Sequence, residues 1–155
     1  PVRKPLLLAA MMRSLREPVL RDQPLTPGAP MPKMVAPQSK APSVAFMQFQ
    51  GLAQEIGLSE INEVFAAFQA ETSERLKGMR TCNLVADRTR ISRDAHTIKG
   101  TAATFGLVRL SEVSAWLERN AEGIDSSVYF EVLDALDLAF ASGVTEVEQL
   151  AKMAA

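Results

Sequence analysis

Residues 93–106, Arg-Asp-Ala-His-Thr-Ile-Lys-Gly-Thr-Ala-Ala-Thr-Phe-Gly, contain the single histidine of the 155-residue chain. His96 is followed by Lys99 and Gly100, within a stretch that otherwise has the period of an amphipathic helix. Glycine inside a helix costs about 0.5–1 kcal/mol relative to alanine, so its place beside the one imidazole asks for a reason. Ile91, Ala95, Ile98, Ala102 and Phe105 define the inward stripe of this helix. At about 100° per residue, His96 lies roughly 140° from the centre of that stripe, Lys99 about 80°, Ala103 about 120° and Gly100 about 180°. The imidazole is therefore displayed outward, beside a cation and two very small residues. A glycine at such a site lets a bulky group or another protein's surface approach the backbone.

Three chemistries use a displayed histidine. Metal binding needs several ligands, and the chain has one His and one Cys with no HExxH or CxxC spacing, so no metal is expected. A hydrolytic triad fails for want of a nucleophile-elbow or cysteine signature. What remains is a histidine acting alone as a nucleophile. Neutral imidazole attacks through one ring nitrogen, best when its other N–H is held by an acceptor. A phosphoryl group suits the surroundings, because Lys99 can screen its oxygens and Gly100 leaves it room. The competing reading is a surface histidine with no role. The acceptor would come from the following helix, where Glu118 lies about 90° from the apolar stripe and can lean toward its neighbour. Its competing reading is a solvated surface charge.

The elements that would position these residues follow from proline and apolar spacing. All nine prolines lie in the first 42 residues, and the remaining 113 have none. Residues 18–42 read as an extended, semi-rigid proline-rich linker. Residues 1–17 before it have a short helix pattern, with Pro5 near the first turn, where proline is tolerated. Residues 43–155 carry helix-period patterning throughout and no convincing strand, which predicts an all-α antiparallel helical bundle with short connections. Helices are expected over about 43–56, with Ser43 as N-cap and Gly57 as stop, from Ser59 to near Gly78, over 85–104, from Gly106 to near Gly123, and from Ser126 or Ser127 onward. Ser142-Gly143 is expected to end the last of these, leaving a short terminal helix. Phe65, Phe68, Phe105 and Phe140 are expected in the core.

Charge divides the chain in the same place. Residues 1–50 carry seven Lys/Arg against two Asp/Glu, and residues 51–155 carry ten against sixteen. A body this acidic, with one Tyr and one Trp, argues against nucleic-acid binding. No apolar run approaches the ~20 residues of a membrane span, and the basic, apolar opening runs into Arg-Ser-Leu-Arg-Glu rather than a cleavage site. The lone Cys82 cannot form an internal disulfide and fits a reducing, cytoplasmic setting. The abrupt start at Pro1 reads as a fragment of a longer protein.

Ala-His-Thr-Ile-Lys-Gly-Thr-Ala-Ala-Thr-Phe-Gly-Leu, followed by Leu-Ser-Glu-Val-Ser-Ala-Trp-Leu-Glu, resembles the histidine-containing phosphotransfer (HPt) family of bacterial phosphorelays. His96, Lys99, Gly100 and Gly106 stand at that family's spacing, and Glu118 stands twenty-two residues after the histidine, where the family often has Glu or Gln. The likeness covers roughly residues 58–141. It implies a four-helix bundle whose exposed histidine is phosphorylated on Nε2, with Glu118 contacting the imidazole. It further implies a carrier without kinase activity or cofactor, exchanging its phosphoryl group with receiver-domain aspartates, the receiver supplying its own magnesium. Ser92, Arg93, Thr97, Ala103 and Leu107 surround His96 on the wheel and are expected to dock the receiver. Lys4-Pro5 resembles the pair that precedes a receiver domain's last helix, which would make the parent a hybrid sensor histidine kinase, with membrane anchoring of that parent left open. Two other readings compete: the phosphorylated domain of a chemotaxis-type histidine kinase, served by an attached ATP-binding domain, and a purely structural bundle.

Overall fold

A computed structural model describes residues 44–154, and within them five helices and no strand. They are α1 (Phe46–Ile56), α2 (Leu58–Thr81), α3 (Arg88–Thr104), α4 (Val108–Asn120) and α5 (Ser126–Ala154). The expected helix at 1–17, the linker at 18–42 and the Ser43 cap lie outside the described residues.

Short connections force consecutive long helices to run antiparallel, and the cross-helix pairs confirm the register. Arg75 of α2 meets Asp94 of α3, Ser92 of α3 meets Glu118 of α4, and Met79 near the end of α2 accepts from Tyr129 near the start of α5. α2 packs on α3, α3 on α4, α4 on α5 and α5 on α2, closing a four-helix bundle, with α1 laid against α2. The centre is aromatic. Phe68 lies 5.0 Å from Phe105, 5.6 Å from Phe65 and 6.1 Å from Phe140, centroid to centroid, which brings α2, α5 and the end of α3 to one point. The stripe expected for α3 is buried along its whole length, Ile91, Ala95, Ile98, Ala102 and Phe105, and so is the apolar stripe of α4 with its flanks, Leu107, Leu110, Val113, Leu117 and Ala121.

The α3–α4 corner is a glycine-dependent stop. Leu107 N–H donates to Ala102 O at 2.9 Å and Gly106 N–H to Ala103 O at 3.1 Å, the Schellman pattern, with Gly106 at φ +74°. Ala45 N–H, just before α1, donates to Gly106 O at 2.7 Å, and a Cβ on Gly106 would stand 2.9 Å from Ala45 O. Both the backbone conformation and the neighbour exclude a side chain. Gly106→Ala should therefore lower stability by at least about 1–2 kcal/mol, read as a lower midpoint in thermal or urea unfolding.

Two boundaries differ from expectation. Gly143 does not end α5, which continues to Ala154. A Cβ there would lie 2.7 Å from Leu107 Cδ2, so the glycine makes room for the corner residue rather than breaking the helix. Gly78 likewise sits inside α2, where a Cβ would come 2.8 Å from Arg90 Nη2. The α2–α3 turn closes instead at Asn83, whose Oδ1 accepts from Val85 and Ala86 N–H while its own N–H donates to Asp87 Oδ2. Phe140 is half-buried, at the edge of the aromatic cluster.

Candidate functional site

His96 occupies the middle of α3, about 44% exposed at its side chain, where the neighbouring α4 presents Glu118. One carboxylate serves two partners. Glu118 Oε1 lies 2.7 Å from His96 Nδ1, and Glu118 Oε2 accepts from Lys99 Nζ at 2.6 Å. His96 and Lys99 are one turn apart on α3, so a single residue of the next helix can reach both.

The electrostatics decide which ring nitrogen is free. Burial is the largest single influence on Glu118 and favours its neutral form, but the hydrogen bonds and charges of Lys99 and His96 together outweigh it, holding its pKa below the ordinary carboxylate value. An ionised carboxylate only accepts hydrogen bonds, so Nδ1 must carry the proton in this contact. In the neutral ring the lone pair then lies on Nε2, on the side away from Glu118. The depressed pKa also has a stability consequence. The contribution is fully present above the ordinary carboxylate pKa and is lost as the pH falls through the lower, folded-state value. Replacing Glu118 by Gln should flatten the acid limb of the pH–stability profile, as measured by unfolding midpoints across that range.

Gly100, one turn beyond His96, faces open space: a Cβ placed there meets nothing within 4 Å. No packing contact inside the bundle calls for glycine at this position. Around it Arg93 and Ala103 are exposed, and Thr97 is half-buried with its hydroxyl donating to Arg93 O. Ala103 O accepts from Gln48 Nε2 of α1 at 2.6 Å. Two of the expected docking residues are placed otherwise. Leu107 is fully buried in the α3–α4 corner against Gly143 and presents no surface, which corrects its assignment to a docking face. Ser92 is half-buried and turns its hydroxyl to Glu118 O at 3.2 Å.

The sequence reading missed two features. Asp94, two residues before His96, is buried, held by Arg75 at 3.0 Å and approached by Arg90 at 3.6 Å. It ties α3 to α2 on the side opposite Glu118. Ser111 of α4 donates to Lys99 O at 3.0 Å. Among the described residues no three His, Cys, Asp or Glu side chains cluster as a metal site would, and no helix is long and apolar enough to cross a membrane.

A comparison with protein-family models matches residues 63–149 to the Hpt domain, an interval that holds α3, α4 and every residue of the His96 cluster. No curated protein and no solved structure gives a match.

Proposed function

The chain belongs to the Hpt domain family, the phosphocarrier modules of phosphorelays, which have no kinase activity of their own, and on that premise we propose that His96 is its phosphoryl acceptor and donor. The observation that carries this reading is the Glu118 carboxylate shared between His96 Nδ1 and Lys99 Nζ. It holds the ring in the tautomer that frees Nε2 and keeps the Lys99 cation on the same carboxylate as the histidine.

The partner is a response-regulator receiver domain carrying an aspartyl phosphate. The Nε2 lone pair attacks phosphorus in line, the P–O bond to the aspartate breaks, and the electron pair leaves with the receiver's carboxylate. The imidazole keeps its proton on Nδ1, donated to Glu118, throughout. Lys99 moves its ammonium toward the new phosphoryl oxygens, whose negative charge it offsets. Return transfer is the same path reversed. The receiver brings its own acidic cluster and magnesium, so this chain contributes the nucleophile, its orientation and a cation, and takes no cofactor. Arg93, Thr97 and Ala103 border the histidine and form the docking rim, with Gly100 as the gap in it. The Lys4-Pro5 pair supports a parent hybrid sensor kinase, with the end of a receiver at 1–17, a linker at 18–42 and the bundle at 43–155.

The test is transfer itself. A receiver labelled on its aspartate should pass the label to this chain in a form lost in acid and kept in alkali, as a phosphorus–nitrogen bond behaves. Absence of transfer, or an acid-stable label, overturns the proposal.

A further inference from the structure

Two serine hydroxyls cross between the helices that carry the His96 cluster, in opposite directions. Ser92 of α3 donates to the backbone carbonyl of Glu118 on α4, and Ser111 of α4 donates to the backbone carbonyl of Lys99 on α3. The two bonds lie two turns apart on each helix and bracket His96 between them. Their acceptors are not arbitrary carbonyls. They belong to the two residues whose side chains meet beside the imidazole.

The usual behaviour of serine and threonine within a helix is to return the hydroxyl to the same helix, three or four residues back. Thr97, Thr101, Ser114 and Ser142 all do this. Among the described residues, every other helical Ser or Thr that donates a hydrogen bond does the same, and Ser92 and Ser111 alone reach across. Because the apolar stripes already hold α3 against α4, these bonds are not needed to join the helices. What they fix is the local register and spacing of the Glu118 and Lys99 backbones.

We infer that Ser92 and Ser111 are positioning residues: they hold Glu118 and Lys99 at the reach that keeps the proton of His96 on Nδ1 and its lone pair on Nε2. The inference rests on reading His96 as the phosphoryl acceptor. Without the two hydroxyls the bundle stays closed, but the carboxylate is no longer held at hydrogen-bond distance, and the ring samples the tautomer with its proton on the attacking nitrogen.

The experiment compares wild type with Ser92→Ala/Ser111→Ala, and with Ser114→Ala as a control from α4 whose hydroxyl bonds its own helix. Alanine is the best helix former, so all three should fold. The first readout is the 15N spectrum of the neutral His96 ring, which distinguishes Nδ1–H from Nε2–H. The second is phosphorylation by phosphoramidate, a small donor needing no docking surface, in which Nε2 takes the phosphoryl group and ammonia leaves. Wild type and Ser114→Ala should show the Nδ1–H form; the double variant should show a mixture and react about 3–10-fold more slowly, the scale of one or two lost hydrogen bonds. An unchanged spectrum in the double variant, or an equal shift in Ser114→Ala, overturns the inference. Failure of phosphoramidate to label the wild type would instead undermine the reading of His96, while the spectrum still decides the role of the serines.

Discussion

Exchange of His96 for glutamine should reduce phosphoryl transfer from a labelled receiver to background while leaving the bundle folded. The loss should be complete because an amide nitrogen has no available lone pair, and no neighbouring group replaces it. Lys99 is tied to Glu118 as an ammonium, with its lone pair occupied by a proton, and Thr97 gives its hydroxyl to Arg93 O. The fold should persist because the histidine is half-exposed and bonds one partner, Glu118, to which a glutamine amide can also donate. A surface exchange of this kind changes stability by only about 0.5 kcal/mol. Thermal unfolding followed by circular dichroism, run beside the transfer assay, separates the two effects. Equal labelling of the variant would place the phosphoryl group on another residue.

How far the sequence reaches toward this site depends on the kind of interaction involved. Apolar periodicity is set by helix geometry, which is why the Ile91–Phe105 stripe and its α4 counterpart were legible and why the outward direction of His96 followed from them. The same geometry put Glu118 at a boundary facing α3, where its carboxylate lies against Nδ1. Local punctuation misled where tertiary packing overrode it. Gly143 and Gly78 look like helix ends, yet both lie inside helices: buried Leu107 crosses close to the backbone of Gly143 and the Arg90 guanidinium lies over Gly78, and neither neighbour is near in sequence. Leu107, expected on the docking rim, is core instead, because a helical wheel extended past Gly106 loses its phase at the corner. Asp94 escaped because a carboxylate in a helix is assigned to water by default. Only the position of Arg75, a full helix away, makes its burial affordable. The crossing serines carry no pattern at all. Their direction is fixed by the spacing of α3 and α4, a quantity that exists only once the bundle has closed.

Gly100 offers the sharpest separation of stability from function. A Cβ at this position meets nothing within 4 Å, so within this chain glycine is simply a weak helix former. Gly100→Ala should stabilise the bundle by about 0.5–1 kcal/mol, and Gly100→Leu by a similar amount, since leucine also favours helix. Transfer from the receiver should move the other way. A side chain one turn beyond His96 stands where the docked partner's surface passes over α3, and overfilling a close-packed contact costs about 1–3 kcal/mol. That corresponds to roughly 5–150-fold slower transfer for leucine and a smaller loss for alanine. Phosphoramidate, which needs no docked surface, should label the leucine variant at the wild-type rate. The three measurements together decide what the glycine is for. A stabilised variant that loses receiver transfer but keeps the small donor shows clearance for a partner. Receiver transfer at the wild-type rate in Gly100→Leu would mean that the docked partner does not pass over this turn of α3, and would move the docking rim toward Arg93 and the start of the helix.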